Sequence, residues 1–162
     1  MIEIRALGAD NWQEIRDVRL RALVDAPDAF TSTLEREMEY DEQRWRHLAT
    51  TGRWYVAKDD GPVGVAVGVD GRSGDTNRRE LVSMWVAPSH RRLGIAERLL
   101  EQVKEWAASQ GATTLALGVR ESNHQALAAY LRMGMRRSGE SVPEARNPSK
   151  VIIVMQCDLG TG

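Results

Sequence analysis

The segment from Leu81 to Ser109 constrains the fold more than any other part of the chain. Leu81 to Val86 is apolar enough for a strand buried on both faces, and Pro88, which has no amide hydrogen to give to a ladder, ends it. From Gly94 to Ser109, the residues Ala96, Leu99, Leu100, Val103 and Ala107 recur at helical spacing, with Gly111 just past the end as a C-cap. A buried strand that feeds an amphipathic helix through a short loop calls for a sheet with helices packed on it.

The neighbouring segments extend this arrangement. Ile2 to Arg5 reads as a short strand, and Asn11 to Asp25 as a helix with Trp12, Ile15, Val18 and Ala22 on one side, ended by Pro27. Phe30 to Asp41 is irregular and acidic, and a second helix over Glu42 to Thr50 carries Trp45 and Leu48 before Gly52 stops it. Trp54 to Ala57 and Val63 to Val69 flank Asp59-Asp60-Gly61-Pro62, the signature of a hairpin turn. Gly71 to Asn77 is a polar loop. Leu115, Leu117 and Val119 alternate as a strand, Ser122 to Gln125 has the spacing of a capping box that opens a helix ending at Gly134, and Val151 to Cys157 is a last strand. The expected order is strand, two helices, three strands, helix, strand, helix, and one or two strands.

At 162 residues the chain is expected to form one domain, residues 1–162, with a core that needs no disulfide or structural metal. A net charge of -1 argues against nucleic acid as the main partner, since phosphate backbones are bound by basic surfaces. Cys157 is the only cysteine, which fits a reducing compartment, and the apolar runs are too short to span a bilayer. The expected location is the cytoplasm. His47, His90 and His124 are too scattered for a metal site, and no metal is expected.

Arg91-Arg92-Leu93-Gly94-Ile95-Ala96 lies between the buried strand and the start of the strongest helix. There the unpaired amides of the first helical turn and the helix dipole favour an anion, and phosphate suits such a place. Gly94 has no Cβ to keep a ligand from its amide, Ala96 is small, and two arginines stand by to add charge-assisted hydrogen bonds. A tight strand-to-helix turn with solvated arginines fits the same residues. Neither the P-loop pattern nor the dinucleotide-binding glycine pattern is present.

The run Val86-Ala87-Pro88-Ser89-His90-Arg91-Arg92-Leu93-Gly94-Ile95-Ala96 resembles the V-x-P-x-x-R-G-x-G-x-G/A signature of the GNAT superfamily of N-acetyltransferases, with Arg92 where the family usually has its first glycine. Asn123 to Met135 resembles that family's N-x-x-A-x-x-x-Y-x-x-x-G-F segment, with Met135 in place of phenylalanine. The resemblance extends from Ile2 to Cys157. It implies an α/β fold with a mixed central sheet of about six to seven strands flanked by helices, splayed open where the pantetheine arm of acetyl-CoA enters.

For the site, the resemblance implies that Leu93, Gly94, Ile95 and Ala96 hold the coenzyme pyrophosphate with Arg91 and Arg92 nearby. Val86 would bind pantetheine by strand-like hydrogen bonds, and amides near Met84, Trp85 and Val86 would hold the thioester carbonyl. Asn123 would cap its helix, bind pantetheine, or do both. When an amine attacks a thioester, a thiolate must leave, and Tyr130 is the candidate acid that protonates it; an aromatic packed inside a short helix is the other reading. The amine itself must lose a proton first, and Glu80 is the candidate base, or else a solvated carboxylate beside Arg78 and Arg79. No cysteine lies near either motif, so transfer is expected to be direct.

Between Asp25 and Glu42, seven acidic residues face a single Arg36, an excess that attracts a cationic amine. Asp28, Phe30, Glu35 and the loop from Glu140 to Ser149 are candidate walls for a small-molecule or peptide amine acceptor. The resemblance also makes a homodimer an option. A non-catalytic acyl-CoA-binding or regulatory module with the same fold is the alternative function.

Overall fold

The computed structural model describes residues 1–71 and 74–160. Part of the polar loop expected over Gly71 to Asn77 therefore lies outside the described residues. The elements in chain order are β1 (Glu3–Leu7), α1 (Trp12–Asp25), α2 (Leu34–Met38), α3 (Glu42–Thr51), β2 (Arg53–Lys58), β3 (Pro62–Asp70), β4 (Arg78–Val86), α4 (Ile95–Ser109), β5 (Thr114–Arg120), α5 (His124–Arg132), β6 (Arg136–Pro143) and β7 (Val151–Asp158). The seven strands form one sheet in the order β1-β2-β3-β4-β5-β7-β6. All neighbours are antiparallel except β4 and β5, which are parallel.

Side-chain alternation along the strands divides the interior into two layers. Tyr55, Ala57, Ala66, Leu81, Leu115 and Leu117 pack with α4 and α5. Trp54, Val56, Val65, Val67 and Trp85 pack with α1 and α3 through Ile15, Val18, Ala22 and Trp45. Helix α4 contributes Ile95, Leu99, Leu100, Val103 and Ala107, all buried, and each large side chain among them contributes on the order of 1.5–3 kcal/mol. Gly68 lets it lie flat on β3: a Cβ there would stand 2.5 Å from the Trp106 ring.

Four local expectations needed correction. The irregular acidic stretch contains α2, a helix of five residues that Thr33 caps by accepting from the Arg36 amide. Helix α5 is capped by Asn123 and not Ser122. The loop expected over Glu140 to Ser149 begins only after Pro143, because strand β6, with sequence RRSGESVP, extends through Glu140 to Pro143; it carries no apolar alternation, and a register shift between Arg137 and Ser141 interrupts its pairing with β7. Strand β4 is not buried on both faces. Val82 is 41% exposed in the middle of the sheet, because a register shift opposite Val65–Val67 inserts an extra residue at Ser83–Met84 and leaves a groove above it.

Candidate active site

The pairing between β4 and β5 stops early. Arg78, Arg79 and Glu80 face Thr114, Leu115 and Ala116, and among the described residues no pair follows, although β4 runs to Val86 and β5 to Arg120. The two strands thus form a V with Glu80 at its apex and Val86 at its mouth. Ala87 donates to Val63 O at 2.7 Å, which turns its peptide group toward β3. By strand alternation the Val86 peptide group points the other way, into the open V. A chain of amide groups entering there would add to the sheet as a strand does, which is the chemistry of a pantetheine arm.

From the mouth of the V the chain turns through Pro88–His90 into the loop before α4. Arg92 adopts φ +64° and Gly94 φ +79°. Arg92 thus takes the left-handed conformation that glycine favours, so the loop keeps its course without the first glycine of the family pattern, at a steric cost. Gly94 is the N-cap of α4 and supplies no capping side chain, which leaves the amides of the first turn open to an outside acceptor. A Cβ on Gly94 would meet no atom within 4 Å, so the approach to those amides is clear. Arg92, Leu93 and Gly94 are exposed, Ile95 is buried in the core and Ala96 is half-buried. The cradle fits a pyrophosphate.

Arg91 is engaged elsewhere. Its Nε donates to Val86 O at 3.0 Å and its Nη2 to Asp25 Oδ2 at 2.8 Å, and the same carboxylate oxygen accepts from Trp85 Nε1 at 2.9 Å. Asp25, the last residue of α1, therefore clamps both β4 and the phosphate loop. Sequence reading missed it because one acid in an acidic stretch carries no distinguishing mark. His90 contacts Asp59 Oδ2 at 2.8 Å through Nε2 and Ser89 Oγ at 2.7 Å through Nδ1. This ties the loop to the β2–β3 turn, and the hydrogen bond from His90 holds the Asp59 carboxyl below its usual value.

Tyr130 is buried in the layer under α4, in a cluster that Met84 and Val86 of β4 and Val119 of β5 also enter. Its phenol makes no hydrogen bond to a described residue, and burial raises its pKa well above 10.0. It stays protonated across the ordinary range. Asn123 Oδ1 accepts from the Ala126 amide at 3.1 Å, which leaves the side-chain NH2 as a donor. Glu80 lies on the opposite face of the sheet. It lines a cavity of about 220 Å³ with Gly118, Glu140 and Val142 and accepts from Arg78 Nη2 at 3.2 Å. The candidate acid and base thus occupy opposite faces on either side of the V.

A second cavity on the Glu80 face, about 530 Å³, brings together the expected acceptor walls. Asp28, Phe30 and Glu35 come from the α1–α2 segment, and Glu144, Arg146 and Asn147 from the β6–β7 loop. The loop is pinned by Arg120, which grips the buried Glu144 with bonds of 2.9 and 2.7 Å, and by Arg146 Nη1, which donates to Thr31 O at 2.6 Å. Four of the seven acids have structural employment. Asp25 clamps the loop, Glu37 pairs with Arg19, Asp41 caps α3 and Glu42 pairs with Arg46. Asp28, Glu35 and Glu39 remain, and the first two line the cavity.

A gap between parallel strands beside an anion cradle at a helix N-terminus is the arrangement that the sequence resemblance implied, and comparison with known proteins decides the family. The model of the acetyltransferase (GNAT) family matches residues 14–135. The chain belongs to that family. It is 31% identical over 90 residues to human N-acetyltransferase 8, an alignment that covers 54% of this chain and 40% of that protein. The chain thus spans less than half of that relative. Among solved structures, a GNAT-family acetyltransferase from Streptococcus pneumoniae superimposes with a TM-score of 0.80 at 16% identity, over 99% of this chain and all of the other. The yncA protein of Salmonella typhimurium, a putative acetyltransferase solved with acetyl-CoA, gives 0.76 at 19% identity over 99% and 95%. These likenesses establish the seven-stranded mixed sheet flanked by helices as the family fold. Among the described residues, no helix is long and apolar enough to cross a membrane.

Proposed function

We propose that this GNAT-family chain transfers the acetyl group of acetyl-CoA to a primary amine by direct attack. The observation that carries the reading is the V between β4 and β5, with the Val86 peptide group turned into it and the uncapped first turn of α4 beyond its mouth. Val86 receives the pantetheine arm, and the amides of Leu93, Gly94, Ile95 and Ala96 receive the pyrophosphate. Arg92 adds charge there, and Arg91 fixes the loop through Asp25 and Val86 O. The side-chain amide of Asn123 donates to the pantetheine arm.

Amides beyond the bulge, at Met84 and Val86, stabilise negative charge on the thioester oxygen. Glu80 accepts a proton from the incoming ammonium, directly or through water, and Tyr130 delivers one to the departing sulfur. A phenol held protonated by burial suits delivery and not abstraction. The acceptor enters on the Glu80 face, past Asp28 and Glu35, whose charge attracts a cation.

Release of free thiol from acetyl-CoA, followed across a panel of small and peptide amines, tests the reading. Amine-dependent release supports it. Tight coenzyme binding without transfer to any amine favours a non-catalytic coenzyme-binding module, and absence of a thermal shift with acetyl-CoA removes the donor assignment altogether.

A further inference from the structure

The bulge in β4 decides what the strand offers to the V. Val82 pairs with Val67 and Trp85 with Val65, so Ser83 and Met84 together oppose Ala66. In an unbroken ladder Met84 would pair with Val65 and Val86 with Val63, and both peptide groups would be spent on β3. The Trp85 ring would also change faces and lose its bond to Asp25. One inserted residue therefore turns the Val86 peptide group, and with it that of Met84, toward the gap.

The inserted conformation is strained, since Ser83 takes φ +62°, a left-handed value that costs any residue with a Cβ. Arg19 of α1 holds it there. Its Nη1 donates to Ser83 Oγ at 2.6 Å, while Nε and Nη2 grip both oxygens of Glu37 at 2.9 and 3.0 Å. The guanidinium carbon also lies 4.6 Å from the centre of the Phe30 ring. With side-chain exposures of 12% for Arg19 and 4% for Glu37, this fork is fixed by packing as well as by charge. A charge-assisted bond and a left-handed serine are of comparable energy, so the bond suffices to offset the strain.

We propose that Arg19, acting through Ser83, is a positioning residue for acyl transfer: it locks the β4 bulge that aims the Met84 and Val86 peptide groups at the thioester. The proposal rests on the acetyl-transfer reading given above. It distinguishes two substitutions that a purely structural role would not. Ser83→Ala keeps the strain and removes the anchor, whereas Ser83→Gly removes both, because glycine adopts the left-handed conformation freely.

The test measures kcat in the amine assay, affinities for acetyl-CoA and for coenzyme A by calorimetry, and Tm. Ser83→Ala is expected to lower kcat at least tenfold and to abolish any preference for acetyl-CoA over coenzyme A, with coenzyme A affinity within about twofold of wild type. Ser83→Gly is expected to restore kcat to within about threefold. Wild-type kcat in Ser83→Ala, or a glycine variant as impaired as the alanine one, overturns the proposal. If the wild-type chain transfers acetyl to no amine, the transferase reading falls separately, and hydrogen exchange at the Ala87 amide, bonded to Val63 O beyond the bulge, still decides the lock. Faster exchange in Ser83→Ala reversed in Ser83→Gly supports it, and equal exchange in all three overturns it.

Discussion

Replacing Arg92 by glycine and by alanine separates backbone strain from charge at the mouth of the phosphate cradle. Arg92 holds φ +64° in the exposed loop before α4. A left-handed conformation costs an L-residue about 1–2 kcal/mol relative to glycine. Glycine returns roughly 0.4–1 kcal/mol of that through the greater freedom of its unfolded chain. Arg92→Gly is therefore expected to be up to about 1.5 kcal/mol more stable than Arg92→Ala, which retains the strain. At about 2–4 °C per kcal/mol for a chain of this size, the Tm difference reaches a few degrees. Both variants lose the same charge. If the guanidinium makes one charge-assisted bond to a phosphate, worth about 1.5–3 kcal/mol, the Kd for coenzyme A rises about 10- to 150-fold in both, and the effect shrinks at high salt. Calorimetric titration at two ionic strengths, with thermal melts of both variants, provides the measurement. A glycine variant no more stable than the alanine one refutes the strain argument. Unchanged affinity in both assigns coenzyme binding to the backbone amides alone.

Three other substitutions, one of them read in two ways, probe the site and the sheet beneath α4. If the phenol protonates the departing thiolate as proposed, Tyr130→Phe should lower kcat by about 10²-fold or more with little change in coenzyme affinity; an unchanged kcat removes it from the mechanism. Since the folded pKa of Tyr130 is raised, the native state holds that proton more tightly, so its contribution to stability is complete below pH 10 and is lost as pH rises beyond it; melts between pH 9 and 11 should fall less steeply for Tyr130→Phe, and parallel slopes count against the burial argument. Gly94→Glu should abolish coenzyme binding by placing a bulky negative group in the open approach, and normal affinity there sinks the phosphate-loop assignment. Gly68→Ala, whose Cβ would lie 2.5 Å from the Trp106 ring, should cost about 1–3 kcal/mol, read as a Tm loss of several degrees; an unchanged Tm means that α4 shifts freely on β3.

The strand, turn and helix start proposed to form the donor half were legible because their physics is local. A strand end, a glycine without a Cβ and a helix start follow one another directly from Val86 to Ala96. The amphipathic period of α4 and the alternation of β5 were equally direct. Strand β6 left no such trace, since none of its residues is buried and it is held by backbone pairing with β7. Nor did the bulge at Ser83, which sits within an otherwise apolar run and is held by a residue 64 positions away. One sign was available: Arg19 falls on the stripe of Ile15, Val18 and Ala22, where a charge is misplaced unless it meets a partner inside.

The acidic stretch illustrates the other kind of failure. Counting seven acids against one arginine suggested a negative field over the acceptor entrance, yet charge in sequence becomes field in space only after pairing is subtracted. Arg91, Arg19 and Arg46 lie outside the stretch and neutralise Asp25, Glu37 and Glu42, while Asp41 serves as a helix cap. What reaches the cavity is the pair Asp28 and Glu35, faced across it by Arg146. The same segment that was read as an electrostatic lure is mostly scaffold. Its paired acids bind α1 to the phosphate loop and to α2, and α2 to the bulge through Arg19, so the acceptor wall and the donor strand are parts of one hydrogen-bonded frame. Any pull on a cationic acceptor would therefore fall to the acids of the stretch that stay unpaired among the described residues, Asp28, Glu35 and Glu39, of which only the first two line the cavity.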